Sequence, residues 1–214
     1  MKVLVVGANG QIGQKLVELL RDSEKHEVRA MVRNEEQANA LKEKGIEAVI
    51  ANLEGSVDEL TDAAQGCDAI VFTAGSGGHT GPDKTLLIDL DGAAKTVEAA
   101  EKVGVKRFVI VSALQANNRQ NWNKEMLPYY AAKHHADRAV EQSSLTYTII
   151  RPGGLLNEPG TGKVEAGEQL KRGLIPREDV AAVIFHTLDA AHTFNRAFDL
   201  VSGEKSISSA LKNI

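Results

Sequence analysis

The stretch Gly7-Ala8-Asn9-Gly10-Gln11-Ile12-Gly13 constrains this chain more than any other. An apolar run, Val3-Leu4-Val5-Val6, precedes it, and Ile12, Leu16, Leu19 and Leu20 follow at helical spacing. That order predicts a strand, a tight glycine turn and a helix. A helix starting there leaves its first backbone N–H groups without intrahelical partners, at the positive end of its dipole. Glycines keep Cβ atoms out of the way, so a diphosphate can approach the backbone. Gly7, Asn9, Gly10, Gln11, Ile12 and Gly13 are therefore the expected diphosphate cradle of a dinucleotide.

The remaining pattern extends this unit rather than adding another. Strands are expected near 2–6, 27–32, 46–51, 68–73, 106–111, 145–150 and 197–201. Helices are expected near 11–22, 35–44, 56–65, 83–102, 128–143 and 177–190, with a short last one from about 206. Most strands are continuous apolar runs, such as Ala69-Ile70-Val71-Phe72 and Phe108-Val109-Ile110-Val111. Such runs suit a parallel sheet covered on both faces. The alternation implies right-handed crossovers and an α/β class chain: one doubly wound parallel-sheet Rossmann fold over 1–214. The stretches 75–81, 113–127 and 153–176 read as loops at the carboxyl ends of strands, where ligands bind in such sheets. Stretches 153–176 and 202–214 are expected to form a small C-terminal substrate region.

Composition narrows the function classes. With 43% hydrophobic and 25% charged residues the chain reads as globular. A net charge of -4 offers no basic field for nucleic acid. No apolar stretch reaches the length of a membrane span, and a chain that starts on a core strand is not expected to carry a signal peptide. Cys67 is the single cysteine, which fits the reducing cytoplasm and a small packing residue. No Cys/His cluster points to a metal.

Arg33 follows the second strand at once. An acidic residue there would accept from the adenosine ribose hydroxyls and repel a 2′-phosphate, whereas a guanidinium fork suits the phosphate. NADP(H) is therefore the preferred cofactor. NAD(H) remains the alternative, with Arg33 a surface residue and Glu35 or Glu36 reaching back to the ribose. Asn52 and Leu53 after the third strand, and Thr73, Ala74 and Gly75 after the fourth, would line the adenine and ribose side, or serve simply as turn residues. On the fourth helix, Leu86, Leu90, Ala93, Ala94, Val97 and Ala100 form an apolar stripe with Asp89 at its edge. A carboxylate there must be paired, hydrated or functional.

Strand five ends at Ser112, and the next helix carries Tyr129 and, four residues on, Lys133. The spacing puts phenol and ammonium on one helical face. A nearby ammonium lowers a phenol's pKa, which suits an acid/base near neutral pH, with Ser112 holding a substrate oxygen. Tyr130 is the rival phenol, but its partner one turn on is His134, which lacks a constant charge.

These residues resemble those of the short-chain dehydrogenase/reductase superfamily. The glycine spacing is similar to its extended and atypical branches, which include NAD(P)-dependent sugar epimerases, epimerase/dehydratases and NmrA-like NAD(P)-binding proteins. The resemblance covers nearly the whole chain. It implies a Ser112-Tyr129-Lys133 catalytic set, with Lys133 also touching the cofactor, and it places Pro152 and Gly153, after Arg151, in the turn at the nicotinamide end. The family's usual Asn on the fourth helix, in a pattern Asn-Val-x-Gly, is replaced here by Asp89 in Asp89-Leu90-Asp91-Gly92. Lys133 is then expected to pair with that carboxylate. The stretch after Pro152 is short for a nucleotide-sugar domain.

The resulting expectation is an NADP-dependent oxidoreductase acting on a small carbonyl or hydroxyl substrate. A sugar epimerase or dehydratase is the alternative enzyme, and a non-catalytic NADP(H)-sensing regulator the alternative outside enzymes. A small molecule is the expected partner, and the oligomeric state is left open.

Overall fold

The computed structural model describes residues 1–212 and 214. Position 213, within the expected 202–214 segment, lies outside the described residues. The chain alternates β1 (Lys2–Val6), α1 (Gln11–Arg21), β2 (Glu27–Val32), α2 (Glu35–Lys42), β3 (Glu47–Ile50), α3 (Val57–Ala64) and β4 (Ala69–Phe72). A continuous helical segment follows: α4 (Pro82–Lys84), a π-helical stretch (Thr85–Asp91) and α5 (Gly92–Val103). Then come β5 (Arg107–Val111), α6 (Leu127–Gln142), β6 (Thr146–Pro152), β7 (Gly154–Leu156), β8 (Lys163–Gly167), β9 (Leu174–Pro176), α7 (Arg177–Thr187), β10 (Arg196–Ser202), β11 (Lys205–Ser206) and α8 (Ile207–Leu211).

The main sheet has the order β11-β8-β10-β6-β5-β4-β1-β2-β3. From β10 to β3 every neighbouring pair is parallel, with registers such as Val5↔Val71 and Val71↔Val109. Successive side chains on a strand point to opposite faces. One set, including Val3, Val5, Val71, Val109 and Phe198, packs with α1, α2, α7 and α8. The other, including Leu4, Val6, Ile70, Phe72, Phe108 and Ile110, packs with α3, α5 and α6. Both faces are covered, as the continuous apolar runs require. Among the described residues no helix is long and apolar enough to cross a membrane.

Two expectations need correction. The 153–176 stretch holds three short strands: β7 pairs with β9 in a separate parallel ribbon, and β8 pairs antiparallel with β10. Runs of only three to five residues are too short to show a period and so are not read as strands. The fourth helix is not uniformly α-helical. Its wide turn, where the Gly92 N–H reaches back to the Leu87 carbonyl, changes the phase of the buried stripe. Thr85 and Asp89 become the buried positions, while Leu86 is 55% exposed.

Candidate active site

The glycine turn brings β4 and α1 against β1. Gly7 has φ +85°, and a Cβ there would sit 2.7 Å from the Ala74 backbone nitrogen. A Cβ on Gly13 would lie 2.2 Å from the Gly7 carbonyl oxygen, so Gly13 is needed for helix and turn to close. Gly10 differs: a Cβ on it meets only the Gly7 oxygen, at 3.1 Å. Its outer side is open, and no side chain caps the α1 N-terminus it begins. Asn9, Gly10 and Gln11 are exposed there, while the Ile12 side chain enters the core and leaves its backbone to the turn. Gln14 Nε2 donates to the Asn9 carbonyl at 3.0 Å, fixing the loop. Uncapped N–H groups behind a Cβ-free surface are what an anionic diphosphate requires, so the residues fit a dinucleotide. Gly10→Val is expected to abolish NADPH binding in calorimetric titration while circular dichroism stays unchanged. Wild-type affinity in the folded variant would remove this turn from the cofactor site.

Arg33 is exposed where β2 meets α2, and no ion pair holds its guanidinium among the described residues. Its backbone N–H donates to Gln37 Oε1 at 3.1 Å. Glu36 and Gln37 line a cavity beside Asn9, so a carboxylate stands near the same place. Asn52 is exposed, and its Oδ1 accepts from the Glu54 N–H in a turn. Leu53 is a packing residue, 8% exposed and set against Gly92. Thr73 Oγ1 donates to the carbonyls of Val6 at 3.0 Å and Gly7 at 3.3 Å, tying β4 to the glycine turn beside Ala74. The Pro152 carbonyl accepts from Leu114 N–H and the Gly153 N–H donates to Leu200 O, both at 2.9 Å. Gly153 is also forced by packing, since a Cβ would meet the Gly173 oxygen at 2.2 Å.

The π-helical stretch turns Asp89 inward and α6 brings Lys133 to meet it. Lys133 Nζ lies 3.1 Å from Asp89 Oδ1, with both side chains buried. It also donates to the Val111 carbonyl at 3.2 Å. Asp89 Oδ2 accepts the Ser76 N–H at 2.9 Å, which anchors the glycine-rich stretch after β4 and explains the close approach at Gly75. Tyr129, half-buried, lies over this pair, with Lys133 Nζ 5.8 Å from its ring centroid. Burial opposes the ammonium's charge, but the carboxylate charge of Asp89 holds Lys133 above its ordinary pKa. The phenol does not follow the sequence expectation. Burial raises the Tyr129 pKa, Lys133 pulls against it, Asp89 pushes the same way as burial, and the net direction is up.

A second buried pair stands one turn along α6. Arg151 Nε donates to Asp137 Oδ2 at 2.8 Å, and Glu141 approaches Arg151 Nη2 at 3.7 Å. Burial raises Asp137 despite Arg151. The Ser112 hydroxyl is buried beside Asp137, near enough to act on it, yet Ser112 Oγ and Asp137 Oδ1 reach no hydrogen-bond partner among the described residues. Asp137 was not among the expected site residues, although Tyr129, Lys133 and Asp137 recur every four residues and share one face of α6. Tyr130 is committed elsewhere: it is buried, stacks on Trp122, and its hydroxyl accepts from Arg172 at 3.4 Å.

A glycine cradle, a Lys133–Asp89 pair and a tyrosine above it now stand at the carboxyl ends of the strands. A family model described as NAD(P)H-binding matches residues 7–191. The chain belongs to that family. It is 62% identical over the full length of both chains to a Bacillus subtilis protein, YhfK, described as an uncharacterised sugar epimerase. A solved structure from Bacillus halodurans, provisionally described as an NAD-dependent epimerase/dehydratase, shares 44% identity over all of both chains with a TM-score of 0.93. The oxidoreductase ylbE from Lactococcus lactis shares 29% identity, covering 100% of this chain and 96% of that one, with a TM-score of 0.90. NAD(P) binding and a Rossmann-like fold are thereby the common ground of this chain and its relatives.

Proposed function

We propose that this chain is an NADPH-dependent oxidoreductase that reduces a small carbonyl compound, with Tyr129 as the proton donor. The observation that carries this reading is the buried Lys133–Asp89 pair at 3.1 Å with the Tyr129 ring above it. A bound NADPH would supply hydride. The glycine turn would hold its diphosphate, and Lys133, with N–H donors beyond the one given to the Val111 carbonyl, would reach the nicotinamide ribose. Tyr129 would meet the substrate oxygen from α6. The Ser112 hydroxyl, buried and without a hydrogen-bond partner among the described residues, would orient the same oxygen. The name of ylbE supports an oxidoreductase, and that of YhfK favours a sugar epimerase as the second reading. The test is NADPH consumption against a panel of carbonyls, quinones and flavins, after any tightly bound nucleotide has been removed. Consumption with a defined product supports the reading. Tight NADPH binding with no turnover across the panel would move it to a sensor.

NADP over NAD is proposed from the free Arg33 fork. A hydrogen bond to a charged group is worth about 1.5–3 kcal/mol, roughly 10- to 100-fold in affinity. Arg33→Asp is expected to lower the NADPH/NADH affinity ratio by at least that factor, because a repulsive charge replaces an attractive one. An unchanged ratio would make Arg33 a surface residue and leave the ribose to Glu36.

A further inference from the structure

The usual expectation for a tyrosine one turn from a lysine is an acidified phenol. That effect needs a net positive charge beside the phenol. Here the charge is met at contact distance. Asp89 Oδ1 stands 3.1 Å from Lys133 Nζ, and each partner is fixed by a further bond, Lys133 to the Val111 carbonyl and Asp89 to the Ser76 N–H. Tyr129 therefore faces an ion pair, whose field falls off faster than that of a single charge. The other groups around it do not restore a positive field. Tyr130 is its neighbour on α6, Asp137 lies two turns along the same helix, and Asp137 is itself paired with Arg151 from β6.

We infer that Asp89 is a positioning residue that offsets part of the Lys133 field at Tyr129, so that in its buried place the phenol stays neutral, ready to donate a proton and poor at removing one. The inference rests on the reductase reading above and gives it a working direction at neutral pH. In carbonyl reduction the carbon takes a hydride, with its two electrons, from NADPH, and the C=O π bond breaks. The oxygen forms its new bond to the proton released by the Tyr129 O–H, and the phenolate left behind recovers a proton from water. An epimerisation cycle begins the other way, by taking a proton from a hydroxyl, and would start from the scarce phenolate form. Burial is the largest cause of the upward direction of the Tyr129 pKa, and Asp89 adds to it against Lys133. Reduction should hold a plateau through neutral pH and fall only where the phenol ionises. Alcohol oxidation should climb with pH over the same range.

The test reads the phenol itself, in protein free of nucleotide. The chain has three tyrosines, so the ultraviolet ionisation difference between wild type and Tyr129→Phe isolates Tyr129. The midpoint is expected above the ordinary value of about 10. A phenol still neutral when circular dichroism reports loss of the fold counts the same way. Asp89→Asn should lower the midpoint by about one pH unit or more, roughly tenfold more phenolate at a fixed pH, and Asp89→Glu should restore it. A wild-type midpoint at or below the ordinary value overturns the inference, as does an unmoved midpoint in folded Asp89→Asn. If Asp89→Asn does not fold, the double variant Asp89→Asn/Lys133→Met, which removes both charges, is read instead: a midpoint within about one pH unit of the wild type supports the offset, and a larger rise overturns it. A high midpoint that depends on Asp89, without turnover, would sink the reductase reading and leave this inference standing. A low midpoint with turnover would do the reverse.

Discussion

Tyr129→Phe is expected to bind NADPH as tightly as the wild type and to lose about 100- to 10,000-fold in turnover. The change removes one hydroxyl and keeps the ring. Tyr129 is half-buried, and its ring contacts with Tyr130 and Lys133 do not depend on the oxygen. The glycine cradle is built from β1, α1 and β4, on the other side of β5 from the α6–β6 pair, so nucleotide affinity should not follow the loss. Tyr130→Phe is the matched control. Its hydroxyl takes only a long bond, 3.4 Å, from Arg172, and its ring stacks on Trp122. That variant should keep most activity. The measurement is steady-state NADPH oxidation with whichever compound the panel identifies. Equal rates in wild type and Tyr129→Phe would exclude the phenol as the acid.

Asp137→Ala should act on stability instead. It leaves the Arg151 guanidinium, 5% exposed in its side chain, without the carboxylate that accepts from it at 2.8 Å. Breaking a buried pair from one side costs about 3–5 kcal/mol, because the remaining charge stays desolvated. Glu141, 3.7 Å away, can take over part of the role, so the lower end is expected. At about 2–4 °C per kcal/mol for a chain of this length, a loss of about 3 kcal/mol lowers Tm by roughly 6–12 °C. The same substitution at Glu204, whose pair with Lys163 is exposed, should leave Tm where it is. A Tm for Asp137→Ala within error of the wild type would show that Arg151 does not depend on this carboxylate.

The glycine turn was legible because its three glycines, strand and helix are contiguous, and each glycine's part follows from sterics at its own position. The order of the parallel strands was legible for a similar reason, since long apolar runs admit few arrangements. The Asp89–Lys133 pairing followed from the resemblance, on the one position where the family's Asn is replaced. The effect of that pairing was not legible. Tyr129 and Lys133 read alone predict an acidified phenol; burial of the phenol opposes this most, and the π-helical stretch, which buries Asp89 in place of Leu86, adds an opposing charge. Helical spacing at 3.6 residues per turn cannot anticipate a turn that is wider. Asp137 shows the reverse case: its spacing from Lys133 was visible, but its partner Arg151 sits on β6 and is paired through the fold.

A reductase of this kind is recognised most directly by where the transferred hydrogen goes. With NADPH carrying deuterium at both positions of the nicotinamide C4, and the best panel compound, mass spectrometry of the product should find one deuterium on the former carbonyl carbon. The transfer should be lost in Tyr129→Phe to the same extent as turnover. A product without deuterium, or NADPH left unconsumed by every compound while bound tightly, would contradict the reductase.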